Sequence, residues 1–113
     1  MTAMRLIVGV TGASGSVLAL ETLSQLGRAG VETHLVVTRG ARMTIAHELG
    51  SEGLTRLNDV AAHVHSPANL AAPIASGSFR TAGMIVVPCS MRSLAAMAHG
   101  LGDNLLTRAA DVV

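Results

Sequence analysis

A glycine-rich turn between an apolar strand and a helix constrains the fold of this 113-residue chain more than any other feature of its sequence. Residues 5–10, RLIVGV, form a continuous apolar run, which is typical of a strand buried on both faces of a parallel sheet. Residues 11–16 are rich in Gly and Ser, residues 17–29 have helical spacing, and residues 32–37, ETHLVV, predict a second strand. This β–loop–α–β unit is typical of an α/β domain with a doubly wound parallel sheet.

The rest of the chain continues the alternation of strands and helices. In the first helix, Val17, Leu20 and Leu23 are predicted to share the buried face. No repeat or linker is apparent, so residues 1–113 are predicted to form a single domain. The further predicted elements are helices over 38–48, 54–62, 90–98 and 104–113, short strands over 63–65 and 84–87, and an irregular loop over 66–79.

The composition restricts the class of protein. Only 13% of the residues are charged and 50% are hydrophobic, so a small domain lacks the polar side chains to cover its surface. This favours a homo-oligomer or a fragment of a larger domain. The net charge of +1, without a basic cluster, argues against nucleic-acid binding.

The N-terminal apolar run does not predict membrane insertion or secretion. It reaches Gly12 too early for a span of about 20 residues, and it lacks the pattern of a signal peptide. The single cysteine, Cys89, excludes an internal disulfide. We therefore expect a cytoplasmic protein.

The first loop, Gly12-Ala13-Ser14-Gly15, has the residues of a phosphate-binding turn. Glycines permit a tight turn, and the following helix N-terminus offers N–H groups and partial positive charge. A Walker loop is excluded because the chain has no lysine. The G-x-G-x-x-G fingerprint fails at Ser14, and a TGxxGxxG reductase pattern fails at Leu18.

Two further polar loops follow strands and are expected at the same edge of the sheet. Thr38-Arg39 follows the second strand, where dinucleotide folds usually have an acidic residue. Thr38 suits either a helix cap or a phosphate contact, and Arg39 keeps NADP open as an alternative. Residues 88–93, PCSMRS, form the third loop, in which Cys89 is interpreted as a small buried residue rather than a nucleophile.

The remaining titratable residues give weaker signals. His63 and His65 share one face of a short strand, but no third ligand is apparent, so no metal site is predicted. His34 is interpreted as structural. Glu48 is either a surface helix residue or an acid or base near the mouth of the site.

Several segments together resemble the UbiX-type flavin prenyltransferases, in the same order and along essentially the whole chain. The segments are RLIVGVTGASGS, ETHLVVTRGAR, ASGSF, GMIVVPCSMRSLAAMAHG and DNLLTRAADVV. The resemblance implies a flavodoxin-like Rossmann fold in a homododecamer. It also implies transfer of a dimethylallyl group from dimethylallyl phosphate to reduced FMN without a metal, which makes prenylated FMN for a UbiD-type decarboxylase.

The resemblance also assigns the site residues. Ser14 and Glu48 are implied to be catalytic, with Glu48 near the donor phosphate, and residues 75–78 are implied to lie by the prenyl pocket. The residues implied to bind FMN are Gly12, Ala13, Ser14, Thr38, Ser90, Met91, Arg92 and Ser93.

The chain is short for that family and is predicted to be truncated at its C-terminus. The segment beyond residue 113 would carry an arginine–glutamate loop and the tyrosine and basic residue that hold the donor phosphate. Two functions follow as alternatives: a flavin prenyltransferase, or an FMN-binding accessory subunit of a hydroxyarylic acid decarboxylase without catalysis of its own.

Overall fold

Four parallel strands form the centre of the computed structural model, which describes residues 4–113. The strands are β1 (Arg5–Val10), β2 (Glu32–Val37), β3 (His63–His65) and β4 (Gly83–Val86), in the order β3-β2-β1-β4. Each of the three strand pairings is parallel. The prediction of a doubly wound parallel sheet with a flavodoxin-like α/β fold is confirmed.

The helices also begin and end close to the predicted positions. They are α1 (Ser16–Arg28), α2 (Arg39–Leu49), α3 (Gly53–Val60), α4 (Met91–Ala98) and α5 (Leu105–Val112), with a short 3₁₀ turn at Pro73–Ala75. Apart from that turn, the loop over 66–79 is irregular, as predicted.

The alternation of β1 divides the core into two layers. Val8 and Val10 face α1, α2 and α3, where they pack with residues such as Leu23 and Ile45. Ile7 faces the opposite side, in the layer that contains Leu105 and Leu106 of α5 and Ile74 of the 3₁₀ turn. Because side chains alternate along a strand, one short apolar sequence fills both layers.

The predicted buried face of α1 is wrong at Val17, which is 59% exposed. The buried residues of α1 are Ser16, Ala19 and Leu23. Positions three and seven residues after Ser16 lie on the same face of a helix, whereas Val17 is turned about 100° away. The small side chains of Ser16 and Ala19 bring the helix close to the sheet.

No helix among residues 4–113 has both the length and the apolar character needed to cross a membrane.

Candidate functional site

The three polar loops that follow β1, β2 and β4 meet at the carboxyl edge of the sheet. There they border a cavity of about 670 Å³, a volume within the usual range for small-molecule sites. Five of the residues that were predicted to bind a cofactor line it, namely Gly12, Thr38, Ser90, Arg92 and Ser93.

Thr11 joins the first loop to the third. Its side chain is buried, and its hydroxyl donates to the Pro88 carbonyl at 2.8 Å and accepts from the Ser90 N–H at 2.7 Å. The Thr11 N–H donates to the same carbonyl at 3.1 Å. These contacts fix the start of α4 relative to the first loop, although 77 residues separate Thr11 from Pro88 in the sequence.

Gly12 lets the first turn of α2 approach the first loop. A Cβ at position 12 would lie 3.1 Å from the Gly40 carbonyl oxygen, which is closer than nearly all such contacts. The Thr44 hydroxyl donates to the Gly12 carbonyl at 3.1 Å. The glycine is therefore needed for a close approach of backbones, as its place in the predicted phosphate turn suggested.

Glu48 binds the N-terminus of α1. Its carboxylate accepts from the Ser16 N–H at 2.8 Å, the Gly15 N–H at 3.0 Å and the Ser14 hydroxyl at 2.8 Å. The Ser16 N–H has the largest effect, followed by the Ser14 hydroxyl, and together these donors lower the pKa of Glu48 to about 2. Gly15 itself, at φ 113°, provides no side-chain cap for the helix.

This contact changes the interpretation of the first loop. The N–H groups at the start of α1 were predicted to hold a phosphate, but in the structure they hold the carboxylate of Glu48. Ala13 and Ser14 do not line the cavity, and nor does Met91, which is 79% exposed. Within the cavity, the groups suited to a phosphate lie on the other two loops.

The first turns of α2 and α4 line the cavity and are capped in the same way. Thr38 Oγ1 accepts from the Ala41 N–H at 3.3 Å, and Ser90 Oγ accepts from the Ser93 N–H at 3.1 Å. Thr38 is thus a helix cap, as one of its two interpretations predicted. A helix N-terminus attracts anions, and Arg39 and Arg92 on the same two turns add positive charge.

Sequence reasoning missed the side of the cavity formed by the loop after β3 and the start of α5. Asn104 Oδ1 accepts from the Thr107 N–H at 2.9 Å, and Thr107 Oγ1 accepts from the Asn104 N–H at 3.3 Å. This capping box is visible in the sequence as Asn-Leu-Leu-Thr, but only the packing of α5 brings it to the site. The cavity residues that were not predicted are Pro67, Ala68, Leu70, Ala96, Asp103, Asn104 and Thr107, whereas Arg39 and Gly40 belong to the second loop, which was predicted at this edge.

Two further predicted features lie elsewhere. Residues 75–78 do not line the cavity; the Ala75 carbonyl accepts from Arg108 Nε of α5 at 3.3 Å. Cys89 is half-buried, and its thiol donates to the Ser90 carbonyl at 3.5 Å. Cys89 is therefore less buried than predicted, and it lies in the third loop, three residues beyond the end of β4.

Comparison with known proteins relates this geometry to flavin-binding proteins. The family described as Flavoprotein matches residues 1–113. Flavin prenyltransferase UbiX of Neisseria meningitidis serogroup B (strain ATCC BAA-335 / MC58) is 53% identical over 109 residues, covering 96% of this chain and 57% of the relative.

Two solved structures are similar over nearly the whole chain. The first is AnUbiX (PadA1) in complex with FMN and dimethylallyl pyrophosphate, with a TM-score of 0.94 and 45% identity, covering 98% of this chain and 58% of that one. The second is the dodecameric FMN-dependent UbiX-like decarboxylase from Escherichia coli O157:H7, with a TM-score of 0.92 and 49% identity, covering 97% and 60%. The chain therefore spans somewhat more than half the length of these relatives.

Proposed function

Since the chain belongs to the Flavoprotein family, we propose that it is a flavin prenyltransferase that binds reduced FMN and receives dimethylallyl phosphate as prenyl donor. The observation that carries the proposal is the convergence of three polar loops on one cavity. The fold around this cavity is shared with a relative solved with FMN and dimethylallyl pyrophosphate.

The residues of the cavity fit FMN. One side offers the capped N-termini of α2 and α4 with Arg39 and Arg92, which suit a phosphate. Ala68 and Leu70 provide apolar contact on another side, which suits a flat ring system. When bound, reduced flavin would supply the nucleophilic ring atoms that accept the prenyl group.

We assign Thr38, Ser90, Arg92 and Ser93 to the FMN phosphate and its neighbourhood, because they line the cavity. We also keep Ala13, Ser14 and Met91 among the proposed FMN-binding residues, because they lie in the first and third loops. Gly12 contributes backbone at the junction of the first loop and α2.

Ser14 and Glu48 form the proposed catalytic pair. Glu48 orients the Ser14 hydroxyl through the 2.8 Å hydrogen bond between them. With a pKa of about 2, Glu48 is ionised at neutral pH and acts as a charged acceptor rather than as an acid. A donor phosphate that reached the start of α1 would compete with this carboxylate for the Gly15 and Ser16 N–H groups.

The decisive experiment is anaerobic incubation of the protein with reduced FMN and dimethylallyl phosphate, followed by mass analysis of the flavin. We expect a flavin heavier by one prenyl group. In Ser14→Ala, adduct formation should be lost while FMN stays bound, whereas Ser51→Ala, at an exposed position outside the cavity, should react normally.

Stoichiometric FMN binding without any adduct from the unaltered protein would contradict the prenyltransferase assignment. That result would support the alternative of an FMN-binding accessory subunit of a hydroxyarylic acid decarboxylase. Normal turnover in Ser14→Ala would remove Ser14 from the catalytic pair.

The cellular setting completes the proposal. Residues 1–113 would act as a single flavin-binding domain in the cytoplasm, within a homo-oligomer such as the dodecamer of the E. coli relative. The product, prenylated FMN, would pass to a UbiD-type decarboxylase.

A further inference from the structure

A cluster of histidines lies at the opposite edge of the sheet from the proposed flavin site. The parallel register pairs His34 of β2 with His63 of β3, and Val36 of β2 with His65 of β3. Glu32, at the start of β2, lies on the same face of the sheet as His34, because the two are two positions apart along the strand. The short strand β3 thus brings His63 and His65 beside two polar residues that the sequence pattern did not connect with them.

The side chains of this cluster are in close contact. His34 Nε2 lies 2.8 Å from Glu32 Oε2, and His63 Nε2 lies 3.9 Å from Glu32 Oε1. The rings of His34 and His63 stack with centroids 4.6 Å apart. One ligand atom from each of Glu32, His34 and His63 lies within 4.8 Å of the other two.

We propose that Glu32, His34 and His63 bind a divalent transition-metal ion, with Zn²⁺ as the best fit. Two imidazoles and one carboxylate are a common zinc ligand set, and tetrahedral coordination needs ligand atoms about 3.4 Å apart. The contacts of Glu32 with His34, at 2.8 Å, and with His63, at 3.9 Å, lie on either side of that spacing. No metal site was predicted from the sequence because His63 and His65 had no apparent third ligand. The pairing of β3 with β2 instead places Glu32 and His34 beside His63.

The exposure of the three residues suits entry of an ion. The His34 side chain is only 5% exposed and provides a fixed ligand, whereas that of His63 is 53% exposed and can adjust. The Glu32 side chain lies between these extremes at 29%. A fourth coordination position would face solvent on the His63 side and be filled by water.

Two neighbours orient the ligands as outer-sphere residues do in metal sites. His65 Nε2 lies 2.9 Å from His34 Nδ1, so His34 can donate its Nδ1 proton to His65 and keep Nε2 for the metal. Arg5 Nε donates to Glu32 Oε2 at 3.1 Å, which leaves Oε1 directed towards His63. The Arg5 guanidinium in turn lies over the ring of Phe79, 4.5 Å from its centroid.

The proposal is tested by titrating the protein, free of any polyhistidine tag, with Zn²⁺ in competition with a chromophoric chelator. We expect one ion per chain, and a Co²⁺ absorption spectrum typical of tetrahedral coordination. His63→Gln should weaken Zn²⁺ binding by at least about tenfold, the usual effect of perturbing a metal site. His63 is largely exposed, so circular dichroism should show an unchanged fold.

A matched control is His99→Gln, which removes an exposed histidine at the end of α4 and should not change the affinity. His65→Gln should weaken binding while keeping the stoichiometry, because His65 only orients His34. The proposal is overturned if the unaltered protein fails to compete with the chelator, or if His63→Gln and His99→Gln bind Zn²⁺ equally. Neither result bears on the flavin site, which lies at the other edge of the sheet.

Discussion

At the scale of single residues, Thr11 connects the most distant parts of the candidate site. It is 1% exposed, and its hydroxyl is both a donor to Pro88 and an acceptor from the Ser90 N–H. Thr11→Val keeps the shape of the side chain but leaves the Ser90 N–H without its acceptor, while the Pro88 carbonyl keeps only the Thr11 N–H. A polar group left unsatisfied in this way costs about 1–3 kcal/mol.

We therefore expect Thr11→Val to lower the free energy of unfolding by about 1–3 kcal/mol in urea titrations and to weaken FMN binding through the displaced third loop. Thr11→Ser, which keeps the hydroxyl, should retain most of the stability and most of the affinity for FMN. Equal stability of the Val and Ser variants would show that the hydroxyl does not hold the loops together.

Glu48 gives a prediction for pH dependence. Its pKa is lowered to about 2 from an ordinary value of 4.5 by donors from Ser16, Ser14 and Gly15, so folding favours the carboxylate. The stabilisation is complete above pH 4.5 and is lost as the pH falls from there towards 2. The amide proton shifts of Gly15 and Ser16, followed by NMR, should titrate with a midpoint near 2 rather than near 4.5.

Glu48→Gln serves as the control for that titration, because an uncharged amide should leave the two amide shifts independent of pH. A midpoint near 4.5 in the unaltered protein would mean that the carboxylate does not bind the start of α1 in solution.

The roles of single residues in the site could be predicted from the sequence only in part. A cap was one of the two interpretations of Thr38, because its type and its place before a helix are local signals. Ser14 was placed in the first loop by its sequence pattern, and Glu48 was left open between a surface residue and an acid or base near the site. Only the family resemblance made them a catalytic pair, since they are 34 positions apart and no spacing rule joins them. The buried role of Thr11 depends on a strand pairing that is also non-local.

At the scale of elements, the strands and helices could be predicted from the sequence because the local signals agree with the fold. The apolar runs of β1 and β2 and the caps of α2, α4 and α5 lie in continuous stretches of chain. The order of the strands and the approach of α5 to the cavity arise from packing between distant segments. This is why the α5 side of the site was not predicted.

The capping box of α5 gives a prediction at this scale. Asn104 and Thr107 satisfy each other's N–H groups at the start of a helix of eight residues. Asn104→Ala should lower the free energy of unfolding by about 0.5–2 kcal/mol in urea titrations, the usual effect of losing an N-cap. Because Asn104 lines the cavity, FMN binding should weaken as well.

Asn69→Ala is the matched control, since the Asn69 side chain accepts from the Ala71 N–H in an exposed loop without capping a helix. We expect a smaller loss of stability there. An Asn104→Ala variant no less stable than Asn69→Ala would show that α5 is held by its buried apolar residues alone.

At the scale of the whole molecule, apolar residues are exposed on the helices that follow the three loops. Val17 and Leu18 of α1 are 59% and 57% exposed, Met43 of α2 is 81% exposed, and Met91 and Leu94 of α4 are 79% and 51% exposed. Scattered apolar residues are normal on a surface, but these five all lie in the first halves of the helices that follow the three loops, which makes this end of the helices the candidate contact surface. Only 13% of the residues are charged, so the chain has few charged side chains to offset this exposed apolar surface, and burial of the surface in a contact is favoured.

We accordingly expect the protein to self-associate through α1, α2 and α4, and light scattering after size-exclusion chromatography should give a mass several times 11.5 kDa. Met91→Glu places a charge in that surface and should shift the mass towards the monomer, because burial of an unpaired carboxylate is strongly unfavourable. Met4→Glu, the same change at another exposed methionine (61%, against 79% for Met91) beside the opposite edge of the sheet, should leave the assembly intact. If Met4→Glu dissociates the oligomer and Met91→Glu does not, the contact surface lies at the other edge of the sheet, beside the histidine cluster.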